Sequence, residues 1–394
     1  MASPDRIRQA AAIVAERKQG GDQPVVVVSA MAGETDRLID LAHQMTPNPG
    51  GREYDFMVSV GEQVSTALIC MALQDMGIAA RPFAGHQVPI ITNDLHKEAR
   101  IKKIFPEKLE KAIESGLVPV VTGFQGVTEE GEITTLGRGG SDTTAVALAV
   151  ALKAAACEIF TDVNGVYTAD PQICPSARKI ERISYEEMLE IAGLGAKVLH
   201  KRCVELAMIN CIPILVKSTF QADVPGTWVL EEDENMEKSV VTGVTLSKGD
   251  AKVSIVDLPD VPGVASKVFA PLADAGINVD MIIQNVARDG KADLTFTVPR
   301  EDLARTKQIA EKVASELGAS HVQTNTRIAK VSIVGAGMKT NPGVASLMFS
   351  TLAKENINIM MISTSEIKIS CIIGDKYAEL AVRVLHEAFG LGVN

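Results

Sequence analysis

The stretch TLGRGGSDTT (135–144) joins a short β-rich run to a helical pattern through three glycines. Glycine lets backbone N–H groups approach a ligand closely, and the N-terminus of a helix attracts anions. Ser141 or Asp142 is placed to cap that helix. Arg138 adds a fixed cation whose planar fork suits a carboxylate or a phosphate. The loop is not a Walker loop, since no G-K-[ST] follows, and not the dinucleotide pattern G-x-G-x-x-G. A strand-to-helix loop of this kind points to an α/β sheet with a ligand at the carboxyl ends of its strands.

Working outward, VVVVS (25–29), LVPVVTGF (117–124), CEIFTDV (157–163) and PILVKS (213–218) read as apolar strands. Helix-period segments alternate with them at 36–44, 61–76, 141–153 and 197–209. Alternation of this type predicts a mostly parallel sheet with helices on both faces. Two further segments lie at the same edge: SAMAGETDRL (29–38), leaving a strand, and FTDVNGVYTADP (160–171), ending one. The second carries Asp162, Tyr167 and Asp170.

The acidic run EEDENMEK (231–238) reads as a linker. After it the chain repeats itself. AKVSIV occurs at 251–256 and 329–334, PGVAS at 262–266 and 342–346, and GINVDMII (276–283) answers NINIMMIS (356–363). Each copy reads strand, Pro-Gly turn, helix, strand, strand, helix. The first copy has a further strand, HVQTNTR (321–327), that the second lacks. SVVTGVTL (239–246) is an orphan strand that can fill the gap, which would leave the first copy inserted within the second. The domains expected are 1–230, a linker plus joining strand at 231–248, and repeat units at 249–327 and 328–394.

The chain has 394 residues, a net charge of −10 and a pI near 5.3. An acidic chain without a basic stripe argues against a nucleic-acid partner. The longest apolar run, 145–156, is too short to cross a membrane. Six cysteines with no C-x-x-C pair suggest reduced thiols in a cytoplasmic protein, and no metal site is expected.

Taken together, SAMAGETDRL, VSVGEQVS (58–65), TLGRGGSDTT, TDVNGVYTADP and LGAKVLH (194–200) closely resemble the aspartate kinase family of the amino-acid-kinase superfamily. The paired units resemble ACT domains, and STSEIKIS (363–370) resembles the end of an aspartate kinase. The resemblance implies a three-layer αβα domain with a mostly parallel sheet, then two ferredoxin-like ACT domains. It implies transfer of the γ-phosphoryl of MgATP to the side chain of L-aspartate, giving 4-phospho-L-aspartate for lysine, threonine and methionine biosynthesis. An aspartate carboxylate is already ionised at pH 7, so such a reaction needs positioning and charge neutralisation rather than a general base.

By the same resemblance, Thr35 and Glu62 would hold the amino acid, with Glu62 facing its ammonium. Arg138 would clamp the α-carboxylate, and Ser141 and Asp142 would order the transfer site. Thr161, Asp162, Tyr167 and Lys197 match nucleotide-contacting positions. ACT units of this type bind lysine or threonine between paired modules, which implies a homo-oligomer. The first copy offers the better pocket, with Asp260 before its Pro-Gly turn and Asn278, Asp280, Gln284 and Asn285 on the following strand.

Two departures from the family pattern stand out. Gln172 follows Pro171 where the family carries Arg. The family's opening strand and Lys-Phe-Gly-Gly-Thr-Ser loop have no counterpart, because Ser3, Pro4 and Asp5 already read as a helix start. The expectation is a sheet short of one strand and a chain of low activity. An amino-acid sensor without catalysis, and a kinase acting on acetylglutamate, glutamate or UMP, stay open as alternatives.

Overall fold

The computed structural model describes every residue except 2, 194–197, 233–239, 287–289 and 393–394. The chain forms two compact units. Unit 1 comprises Met1–Val166, Lys179–Gly193 and Lys197–Glu234, and unit 2 the remainder.

In unit 1, Val118–Thr122 is the middle strand of a parallel sheet, flanked by Val26–Val28 and Ala80–Phe83. All five of its residues are buried, because successive side chains enter opposite cores. Val118 and Val120 join Ile7, Ala11, Ile69 and Leu73, from the helices Pro4–Gln19 and Val60–Asp75. Val121 joins Leu109, Ala112 and Leu148, from Glu107–Glu114 and Gly140–Ala151. Helices therefore cover both faces, as the alternating pattern predicts. A second sheet runs Cys157–Thr161, Ile214–Ser218, Thr227–Leu230, Arg182–Ser184 and is parallel except at its central pair. A third, small sheet of Ile101–Ile104, Ile90–Thr92, Gln125–Val127 and Ile133–Thr135 carries the approach to the Gly-rich loop. Its strands are three or four residues long, too short to show an alternation in the sequence.

Unit 2 holds two four-stranded antiparallel sheets. One contains Asp250–Pro259, Ile282–Val286, Lys291–Pro299 and His321–Asn325. The other contains Gly243–Ser247, Ile328–Val334, Lys368–Gly374 and Ile359–Thr364. Gly243–Ser247 thus pairs with the second repeat although it precedes the first. Each repeat has its own core, built around Phe296, Val268 and Leu272 in the first and Met348, Leu352 and Leu385 in the second.

The sequence places residues 167–178 in the first domain, but the structure groups them with unit 2. Ala169 and Cys174 enter the core of the second repeat, Val244 N donates to Thr168 O at 2.7 Å, and Ala177 bridges to Gly392. Thr168 Oγ1 lies 2.9 Å from the buried His386 Nε2 and accepts from Arg178 N at 3.1 Å. Most of the acidic run 231–238 lies outside the described residues.

Candidate functional site

The Gly-rich loop begins where Ile133–Thr135 ends, and that end is anchored by a buried carboxylate. Asp55, wholly buried, accepts from Thr135 N at 3.0 Å, Thr135 Oγ1 at 2.6 Å and Lys97 N at 3.0 Å, and it pairs with His96 Nδ1 at 2.8 Å. Arg202 holds the next residue, donating to Leu136 O at 2.7 Å and to Ala99 O at 2.5 Å. A carboxylate and a guanidinium from separate helices therefore fix the entry to the loop. Neither stood out in the sequence.

The loop itself turns on glycine. Gly139 is left-handed (φ 66°), and a Cβ there would lie 2.2 Å from His200 Cβ. Any side chain would be strained and in collision. Gly139, with no side-chain bond, is the N-cap of Gly140–Ala151, so neither Ser141 nor Asp142 caps that helix as the sequence suggests. They occupy its first turn instead. Burial pushes the Asp142 carboxyl up to about 6, and a hydrogen bond from the His200 backbone opposes the shift. Burial lowers the pKa of the His200 ring, as do Arg202 and Arg138. Arg138 is exposed, and no described residue bonds its guanidinium.

Glu62 sits on the helix Val60–Asp75 and is 3% exposed. Its Oε1 accepts from Ala30 N at 3.2 Å, while its Oε2 has no hydrogen-bond partner. Burial raises this carboxyl to about 7, against the lowering effect of the backbone bonds. Gly61 permits the approach: a Cβ there would lie 2.9 Å from Ala30 Cβ. Ser65 Oγ, one turn along, and Thr122 Oγ1 are also buried without partners. Thr122 pairs with Val28, just before the SAMAGET segment. Thr35 lies half-buried in the first turn of the helix Glu34–Met45, which Gly33 (φ 78°) opens. The structure thus brings Glu62 to the SAMAGET segment that carries Thr35.

Thr161 ends the strand Cys157–Thr161 and Asp162 follows it, with Thr161 Oγ1 bonding Asp162 Oδ1 at 3.1 Å. Thr219 N and Oγ1 both donate to Thr161 O, at 2.9 and 3.1 Å. Tyr167 falls in unit 2, and Lys197 lies outside the described residues. Asp170 closes its own turn, accepting from Gln172 N at 2.9 Å. Among the described residues no three metal-ligating side chains cluster.

In unit 2, Asp260, Asn278, Gln284 and Asn285 are exposed on the first repeat. Asn278 and Asp280 precede the strand Ile282–Val286 rather than lying on it. Asp280 is not free. It pairs with Lys330, a 5% exposed residue of the second repeat that also lies 3.4 Å from Asp250. A lysine inside AKVSIV reads as a solvent-facing strand position, and only the acids of the other copy make its burial tolerable.

Residues 1–218 match the model of the amino acid kinase family, and 253–318 and 331–389 each match an ACT domain. An aspartate kinase of Stutzerimonas stutzeri is 53% identical over 388 residues, 98% of this chain and 94% of that protein. The crystal structure of E. coli aspartokinase III with aspartate and ADP, in its R-state, is similar at a TM-score of 0.82 and 27% identity, covering 98% of this chain and 97% of that one. The same enzyme with lysine and aspartate, in its T-state, gives a TM-score of 0.74 at 26% identity, covering 97% and 96%.

Proposed function

The chain belongs to the aspartate kinase family, and on that premise we infer that unit 1 phosphorylates the side-chain carboxylate of L-aspartate with ATP. The observation that carries this reading is Glu62: a carboxylate 3% exposed, with one oxygen bound to Ala30 N and the other unpartnered. A buried, half-satisfied acid is costly unless a cation arrives to complete it. The ammonium of an amino acid is such a cation. Arg138, exposed and without a described partner, supplies the opposite charge for the α-carboxylate.

Thr35, Ser141 and Asp142 complete the acceptor side in this reading, while Thr161, Asp162, Tyr167 and Lys197 serve the nucleotide. Asp142 stands in the first turn of Gly140–Ala151, where anions meet backbone N–H groups. Mg²⁺ would neutralise phosphate charge. Magnesium in kinase sites is held by one or two carboxylates together with substrate phosphates and water. With the acceptor already anionic, the protein's part is orientation and charge compensation.

The ACT pair is assigned to feedback control by lysine or threonine, with Asp260, Asn278, Gln284 and Asn285 as contacts and Asp280 acting through Lys330. Association through these modules makes the working form a homo-oligomer, and the protein acts in the cytoplasm. The proposed division is kinase 1–230, connector 231–248 and ACT units 249–327 and 328–394, with residues 167–178 lent to the second. No observation favours a sensor without catalysis.

Incubation with MgATP and hydroxylamine tests the reading, because an acyl phosphate is trapped as a hydroxamate. The expected acceptor is L-aspartate alone. A hydroxamate from acetylglutamate or glutamate instead would assign the chain to another branch of the superfamily.

A further inference from the structure

His200 is the N-cap of the helix Lys201–Asn210, and its own ring does the capping, with Nδ1 accepting from Arg202 N at 3.4 Å. Ser, Thr, Asp or Asn ordinarily fills this place, so capping alone does not call for an imidazole.

Three contacts pin this residue and its helix to the Gly-rich loop. The ring lies on Gly139, where an added Cβ would come 2.4 Å from His200 Cγ and 2.9 Å from Cδ2. The backbone N–H of His200 donates to the Asp142 carboxyl. Two residues on, Arg202 donates to Leu136 O at 2.7 Å.

The same contacts settle where the ring keeps its proton. A ring nitrogen that accepts a hydrogen bond carries none, so the neutral imidazole holds its proton on Nε2. Nε2 is bonded to Cδ2, the ring carbon near Gly139, and so lies toward the loop rather than the helix it caps. His200 is half-buried, and no described residue accepts from Nε2. Burial, Arg202 and Arg138 hold the ring's pKa below 6.5 against the opposing effect of Glu205. The positive end of the helix disfavours an imidazolium further. Asp142 meets His200 through the backbone, not the ring. At neutral pH the ring is therefore an uncharged donor beside Arg138.

We propose that His200 is a catalytic residue of the phosphoryl transfer, donating a hydrogen bond through Nε2–H to an oxygen of the phosphoryl group in transit. The proposal rests on the aspartate kinase reading of unit 1. The ring covers the N-terminus of Gly140–Ala151, where backbone N–H groups attract the same anion. In the step, the bond from the γ-phosphorus to the oxygen it shares with ADP breaks, and ADP keeps the electron pair. A bond to one side-chain oxygen of aspartate forms. The acceptor arrives ionised, so no proton is transferred and His200 retains its own. A donor already fixed by cap and loop stabilises the moving charge without reorganising.

Two variants separate this role from capping. His200→Asn keeps a good cap but has no donor at the Nε2 position, whereas His200→Gln places an amide N–H there and caps poorly. Transfer to aspartate, trapped as hydroxamate, is measured beside melting temperature. His200→Asn should melt like the wild type with kcat down about 100-fold, while KM for aspartate and for ATP stays within about threefold. His200→Gln should melt lower yet recover about tenfold of the lost kcat. MgADP with aluminium fluoride and aspartate, which imitates the phosphoryl in transit, should bind more weakly to His200→Asn, while MgADP alone binds equally. A kcat in His200→Asn within about threefold of wild type overturns the proposal, as does a loss confined to either KM. A loss in His200→Gln as deep as in His200→Asn overturns it too. A wild type that phosphorylates no aspartate removes the kinase reading and the proposal with it. If His200→Asn does not fold, His200→Ser, a shorter cap without the donor, takes its place.

Discussion

Glu62 accepts the Ala30 amide through Oε1 at 3.2 Å, while its Oε2, on the same buried side chain, has no partner. Its carboxyl is raised from 4.5 to about 7 by burial. A carboxyl raised on folding is neutral in the folded chain where the unfolded chain has already ionised, so stability falls as pH rises from about 4.5 to 7. The cost at pH 8 is on the order of 3 kcal/mol at most. Glu62→Gln should therefore melt higher than the wild type at pH 8 without substrate, and the difference should vanish near pH 4.5. A variant that melts lower at pH 8 would contradict the burial argument.

Arg138 is expected to act on substrate rather than on the fold, because no described residue bonds it. Arg138→Ala should raise the KM for aspartate and lower kcat, with kcat/KM down about 100-fold for the loss of a charged hydrogen-bonding pair. Arg138→Lys should recover part of this, since it keeps charge but loses the fork. A fall in melting temperature matching the loss of activity would show that the side chain is structural.

Asp55 is the opposite case. It satisfies Thr135, Lys97 and His96 from a site without solvent. Asp55→Ala strands several donors and should cost about 3–5 kcal/mol, read as a large drop in melting temperature. Asp55→Asn keeps the shape and should cost less. Equal stability of both variants with the wild type would mean the network does not hold the loop.

Lys330 joins the two ACT repeats through Asp280 and Asp250. Lys330→Met leaves those carboxylates facing an uncharged side chain. We expect a lower melting temperature and a several-fold higher effector concentration for half-inhibition, with kcat unchanged. Inhibition identical to wild type would confine Lys330 to a structural role.

His386 is 1% exposed, and burial, with a further contribution from Arg178, lowers its pKa below 6.5. The unfolded chain binds that proton first, so this contribution to stability is lost as pH falls below about 6.5. The direction is opposite to that of Glu62. His386→Gln should flatten the acid limb of the melting curve, and an unchanged limb would exclude His386 as its source.

Much of this was legible in the sequence. Val26–Val28, Val118–Thr122, Cys157–Thr161 and Ile214–Ser218 are the four apolar runs, each trimmed at one or both ends. The repeated AKVSIV and PGVAS blocks mark the two ACT sheets. Other features were not legible because they depend on contacts distant in the chain. The helix is capped at Gly139, left-handed and packed under His200, rather than at Ser141 or Asp142. Residues 167–178 offer only a few apolar side chains, so nothing local assigns them to another core. Asp55 and Lys330 look like ordinary surface charges until His96 and Thr135, or Asp280, are brought beside them. Gln172 is exposed, and its backbone closes the Asp170 turn. Its side chain has no assigned role.

The most direct measurement of the central claim is the proton balance of aspartate binding, by calorimetry at pH 7 in buffers of different ionisation enthalpy. If the ammonium of aspartate completes Glu62, binding draws the carboxyl, near 7 when free, into its ionised form and releases a fraction of a proton. That release should disappear in Glu62→Gln, together with at least a tenfold loss of affinity. Aspartate binding with no proton release, and with equal affinity in Glu62→Gln, would contradict the account.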